Sequence, residues 1–249
     1  NKTYMPIDFL DTMHKQQECA HALLGAIQEL CENKQFNTPA QPLDSKIIEG
    51  LIQLYTIGTT IEDATSGKDI DPDDITQVGE YGFNLLTELL RWAQLNHRLD
   101  FTKTAQKLIL SLSLWITKHQ GELRTLEPVV DALAKTANKT SDSKQLIQLV
   151  GMMDKIIDAC SSTIRNDHEQ NNPLRPWRVI HLNRAITATR AHDTELMRHV
   201  FQQLVKAFPL DAANFFAEGM HQMDRLEYPT DVRQVLQEYF NKYSRPKMN

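Results

Sequence analysis

Two tetrads of the form Glu-x-x-His lie two hundred residues apart, Glu18-Cys-Ala-His21 and Glu218-Gly-Met-His221. On a helix, residues three apart project to one side. Carboxylate-bridged di-iron bundles build their centre from two such pairs and two further glutamates. Glu18, His21, Glu218 and His221 therefore define one chemical reading, an all-α metal-dependent enzyme of the di-iron kind. The set is incomplete, because no glutamates on facing helices can be named to finish it. Nine histidines in the chain also make such pairs expected by chance. Polar residues flanking a helical core account for both tetrads without metal.

The stretch KDIDPDDITQVGE (68–80) spaces Asp69, Asp71 and Asp73 by two and places Glu80 eleven residues after Asp69. An EF-hand loop needs a glycine at its sixth position for a sharp turn, and a bidentate glutamate at its twelfth. Asp74 and Pro72 occupy the sixth and fourth positions here, so the curl is not available. A helix start uses every residue: Asp71 as N-cap, Pro72 as the first helical residue, Asp73 and Asp74 at the positive end of the dipole. His192, Glu195 and His199 form a third cluster, but the glutamate does not adjoin the first histidine, so the zinc-protease pattern is absent. His192 or Asp193 more simply begins a helix. The nine glycines are scattered and form no phosphate loop, and no G-x-S-x-G occurs. No catalytic residues and no cofactor are assigned.

The elements that would position any of these residues are helices. Apolar residues recur at three and four and hardly ever at two. The pattern predicts ten helices, at 8–32, 44–64, 72–95, 101–119, 125–138, 142–164, 177–190, 193–207, 211–227 and 230–243. Leu108, Leu112, Trp115, Leu149, Met153 and Ile157 are the expected core of the middle helices. Turn residues cluster between the elements, as in NKQFNTPAQP (33–42) and TSGKDID (65–71). The longest polar gap, 166–176, has two prolines and three asparagines. It predicts an N-terminal six-helix part, 1–165, and a C-terminal two-hairpin part, 177–243, or else one continuous domain.

Helix 197–208 aligns with helix 232–243 at a shift of 35, with Arg198 over Arg233, Val200 over Val235 and Gln202 over Gln237. A period near 34 belongs to helix-hairpin arrays. Ala185, Phe201 and Pro209 have the spacing of the small, aromatic and proline positions of a tetratricopeptide repeat, and Phe215 and Gly219 match the opening of the next one. Residues 177–243 thus resemble that family. They depart from it at Arg184, where leucine is preferred, and at Leu204 and Tyr239, where alanine is. The second repeat also needs a one-residue insertion. The resemblance implies an α-hairpin solenoid with a groove or ridge for a protein partner. The asparagines and lysines with which chaperone-binding members hold peptides have no counterpart here. Arg198 and Arg233, which recur at one register on the polar side, are the candidate partner-binding residues.

Composition agrees with a globular helical chain. Of 249 residues 24% are charged, and the net charge is −5. Residues 1–100 carry sixteen acids against seven Lys/Arg, so the N-terminal part is acidic and the remainder basic. A net negative chain does not favour polyanions. The locally basic RPWRVIHLNRAITATR (175–190) has Trp177 among its arginines, but its apolar residues read as packing and its arginines as protein-facing. Cys19 and Cys31 fall on one helix about 18 Å apart along its axis, too far for a disulfide. With Cys160 they predict reduced thiols in a cytoplasmic protein. The longest apolar run, 108–116, is too short for a membrane span. The chain begins at Asn1, which leaves open a removed N-terminal segment. The expectation is an all-α interaction scaffold presenting a helical groove to a protein partner, with the metalloenzyme as the alternative.

Overall fold

In the computed structural model, residues 7, 9–32, 41–64 and 70–243 are described, apart from the side chain of Asp224. Asp69 of the acidic stretch, and Asp8 at the start of the first expected helix, lie outside them. The described residues form eleven helices: α1 (Met13–Glu32), α2 (Ser45–Ala64), α3 (Pro72–Leu95), α4 (Leu99–Lys118), α5 (Glu127–Lys139), α6 (Ser143–Ala159), α7 (Ser162–Arg165), α8 (Pro176–Arg190), α9 (Thr194–Ala207), α10 (Pro209–Leu226) and α11 (Thr230–Tyr243). Among the described residues there is no strand, only an isolated bridge between Leu123 and Cys160. The protein is all-α.

Two expected helices are altered, and both changes have a hydrogen-bonding cause. The first begins at Met13 because the backbone before it is bonded elsewhere. Leu10 N–H donates to Ser111 Oγ at 2.9 Å, and Leu10 C=O accepts from Gln16 Nε2. Thr12 Oγ1 then accepts from Lys15 N–H, an N-cap contact. The expected helix 142–164 is cut at Cys160. Leu123 N–H takes the Ala159 carbonyl at 2.8 Å, and Ser161 N–H donates to the Leu123 carbonyl at 2.9 Å. The helix therefore stops, and four residues of α7 follow. At α3 the sequence rule holds: Asp71 has extended backbone, its side chain accepts from Asp73 N–H, and Pro72 opens the helix.

The chain forms two compact units. One comprises 8–133 and 155–168, the other 1–7, 134–154 and 169–249, so the boundary falls inside α5 and inside α6. The chain crosses between the units once more at 168–169, within the 166–176 gap, while 134–154 joins the C-terminal helices, and the hydrogen bonds show why. In the second unit Arg190 donates from both terminal nitrogens to the carbonyls of Ala137 and Thr140. Ser143 Oγ donates to the Ala191 carbonyl. Arg184 meets Asp154 at 2.7 Å. These bonds join α8 and its end to the α5–α6 turn, which the linker at 166–176 had seemed to separate from it.

In the first unit α1 packs on α2, α2 on α3, α3 on α4, and α4 back on α1. This closed ring encloses Leu51, Leu54, Phe83, Leu86, Leu108, Leu112 and Trp115, each at most 1% exposed. In the second unit α9 packs against α8, α10 and α11, and α10 against α11. Phe201, Leu204, Phe216, Leu236 and Tyr239 are buried together there, with Phe215 packed partly buried against them. Leu149, Met153 and Ile157 of α6 are buried as expected.

Candidate functional site

The described surface of the second unit has an open groove of about 510 Å³ between α8 and α10. Its origin is in α8. That helix has no single apolar face. It buries Arg184 and His181, at 3% and 5% exposed, and leaves Ile186 at 45%. Burying an arginine requires a partner, and Asp154 supplies one. His181 stands beside it, its Nδ1 3.4 Å from a terminal nitrogen of Arg184. With its polar side turned inward to α6, α8 presents Leu182 and Ile186 to the groove.

α10 forms the other wall. Pro209 starts it directly after Phe208, so α9 and α10 meet at a tight corner. Phe201 then contacts the rings of Phe215 and Phe216, at 5.6 and 5.1 Å between centroids, seven residues before the corner and about as many after it. That symmetry is the mark of an antiparallel hairpin. α11 returns along α10: a Cβ placed on Gly219 would meet Leu236 at 3.0 Å, while Arg233 donates to the Met223 carbonyl at 2.8 Å. α9 and α11 are both antiparallel to α10, so they run in the same sense. Phe215, Met223 and Leu236 line the groove floor.

The two ends of the groove are polar. At one end Arg178 of α8 forms an ion pair with Asp211 of α10 at 2.6 Å and also donates to the Pro173 carbonyl. At the other lie Arg190, committed to carbonyls, and Tyr228. Burial raises the Tyr228 phenol above its ordinary pKa, opposed by the nearby Arg190 charge. The Tyr228 ring is met edge-on by His192, which holds a left-handed backbone at φ 57° after α8. Asn214, Glu218 and Gln222 stand exposed on the α10 wall.

The expected site residues fall as follows. Arg198 is paired to Glu238 at 2.6 Å, and its carbonyl accepts from the Tyr239 hydroxyl. Arg233 is partly buried and serves the end of α10 through the Met223 carbonyl. Both guanidinium groups thus have internal partners, and neither residue lines the groove. Glu18 and His21 lie in the first unit, Glu218 and His221 in the second, and all four are exposed. Glu218 accepts from Gln222. Among the described residues no group of three or more His, Cys, Asp or Glu could hold a metal ion. Of His192, Glu195 and His199, the first meets the Tyr228 ring and the last pairs with Gln203, while Asp193 caps α9 by accepting from Leu196 N–H. In the basic stretch 175–190 all four arginines have internal partners, Arg175 on the carbonyls of Gln170 and Asn172.

Sequence reasoning found the helices of the groove but not the groove itself. The available signal was the contradiction in α8, where Arg184 falls at a leucine position and Leu182 and Ile186 fall outside the buried stripe. The three cysteines form no disulfide, and burial pushes the Cys160 thiol up to about 12. Among the described residues no helix is long and apolar enough to cross a membrane. Comparison with models of known protein families, with curated proteins and with solved structures gave no match to this chain.

Proposed function

We propose that the protein is a non-enzymatic interaction scaffold whose α8–α10 groove receives a segment of a protein partner. One observation carries the reading: an open groove of about 510 Å³ whose floor is apolar and whose charged groups are mostly spent on internal partners. Apolar clefts with a few placed polar groups are the usual form of a binding site. The tetratricopeptide-like resemblance belongs to the same proposal, with α8 and α10 as first helices and α9 and α11 as second helices of two hairpins. Its support is the burial of Ala185 and Phe201 and the tight contact of Gly219 with Leu236. Hairpin arrays leave extended faces free for binding.

The test is affinity capture from native lysate with the wild-type chain and with Ile186→Asp. Ile186 is 45% exposed, so the change puts a charge into the groove without emptying the core. Equal thermal unfolding of the two proteins establishes that the variant folds. A protein retained in stoichiometric amount by the wild type and lost with the variant supports the scaffold. Capture indifferent to the substitution removes the groove from the function.

A further inference from the structure

The two walls of the groove differ in chemistry, and that difference selects the kind of chain that fits. The α8 wall is apolar, with Leu182 and Ile186. The α10 wall carries Asn214, Glu218 and Gln222, four residues apart and all exposed. Successive members of this row are separated by about 6.0 Å along the helix axis. An extended chain repeats its backbone groups and its same-side residues every two positions, about 6.6–6.8 Å. The two spacings stay within about 1.6 Å of each other over the two steps of this row. An asparagine can donate to and accept from one peptide unit, and glutamine can do the same.

We infer that the groove takes an extended segment of a partner protein, apolar at alternate positions and bearing a lysine or arginine opposite Glu218. The inference rests on the groove reading just given and specifies its ligand. Length fits the extended form: from Asp211 to Leu226 the α10 wall is about 22 Å long. About six extended residues span the same length. Their backbone meets the Asn214–Glu218–Gln222 row, while every second side chain reaches Phe215, Met223 and Leu236 on the floor.

Charge decides the basic residue. Arg178 and Asp211 neutralise each other. Arg190 spends both terminal nitrogens on backbone carbonyls. Glu218 gives one carboxylate oxygen to the Gln222 amide at 2.9 Å and keeps the other. The second carboxylate oxygen of Glu218 is therefore a charged acceptor open to a ligand on the groove wall, and a cation placed there gains a charge-assisted hydrogen bond.

The experiment selects a displayed library of random twelve-residue peptides on the full chain, then measures synthetic winners by fluorescence anisotropy. The expected winners have apolar residues at every second position, contain one lysine or arginine, and tolerate proline between the apolar positions. Their affinity should fall at least about tenfold on Glu218→Lys or Ile186→Asp, and exchanging the peptide's cation for glutamate should restore binding to Glu218→Lys. Glu218 is exposed, so its substitution does not endanger folding. Winners with apolar residues at spacings of three and four, intolerant of proline, overturn the extended ligand and leave the groove reading standing. Winners indifferent to Glu218→Lys overturn the cation. A selection yielding no peptide sensitive to Ile186→Asp overturns the inference entirely, while the lysate capture decides the groove reading independently.

Discussion

The ring of α1–α4 and the hairpins of α8–α11 close their helix contacts by opposite means. The ring uses glycine. A Cβ on Gly79 would stand 2.5 Å from Ile116, one on Gly82 2.6 Å from Leu112, and one on Gly50 2.7 Å from Leu85. Each glycine lets an aliphatic side chain of the next helix sit against bare backbone. The hairpins use aromatic rings. Phe201, Phe215, Phe216 and Tyr239 form a connected set with centroids 5.1–5.6 Å apart. The hairpins have a single glycine, Gly219, where an added Cβ would stand 3.0 Å from Leu236. Glycine contacts bring helices together along their length and leave little between them. A ring cluster at α9–α11 holds its helices firmly on one side, and α8 and α10 are free to diverge on the other. The groove lies on that other side.

The largest test of this contrast is Phe201→Ala. Phe201 is fully buried at the junction of α9, α10 and α11, and truncating such a ring costs about 3–5 kcal/mol. Denaturant unfolding should show that loss, and any peptide binding in the groove should weaken with it. Next comes Gly82→Val in the ring. Two leucines, Leu112 and Leu54, occupy the space a side chain needs. Overpacking of this kind costs about 1–3 kcal/mol. The matching change in the hairpins, Gly219→Ala, should come out near zero. The contact with Leu236 tightens by a few tenths of an ångström, while the helix gains about 1 kcal/mol from replacing glycine. If Gly219→Ala proved as costly as Gly82→Val, the two units would not differ in the way described.

Much of this architecture could be read from residue spacing. Asp71-Pro72 marked the start of α3, and the stripe through Leu108, Leu112 and Trp115 marked a helix buried on more than one side, all within 1% of full burial. Local chemistry determines such features, so sequence suffices. Cys160 could not be read, because the helix there is ended by the backbone of Leu123, thirty-seven positions away. The groove could not be read either. It depends on Arg184 being buried against Asp154, and periodicity rules place an arginine outside. The turns mislead for a similar reason. His97 and Gln120 take left-handed backbone after α3 and α4, where glycine is usual, and Arg98 N–H and Gly121 N–H close the helix ends onto Ala93 and Ile116. Replacing Gln120 by glycine should raise stability by about 1 kcal/mol, since a side chain in that region is strained. Thermal unfolding would show it.

The smallest expected effect concerns pH and belongs to the first unit. His119, at the end of α4, has its ring 4.8 Å from Trp115, and its Nε2 is buried without a hydrogen bond. Burial lowers its pKa, the Lys118 charge lowers it further, and Glu62 opposes both. The folded ring therefore resists a proton that the unfolded chain accepts near pH 6.5. Its contribution to stability is complete above that pH and is lost as pH falls from there toward the depressed folded value. His14 works in the opposite direction: its hydrogen bond to Asp63 raises its pKa, so its contribution is complete below about pH 6.5 and disappears as pH rises through the folded value. Comparing wild type with His119→Gln removes the His14 part, since both proteins keep it. Denaturant midpoints followed by tryptophan fluorescence between pH 7.5 and 5 should converge as pH falls if glutamine starts less stable, or cross in favour of the variant if it starts equal. A gap that stays constant over that range would mean that the His119 ring meets no desolvation in the folded ring of helices.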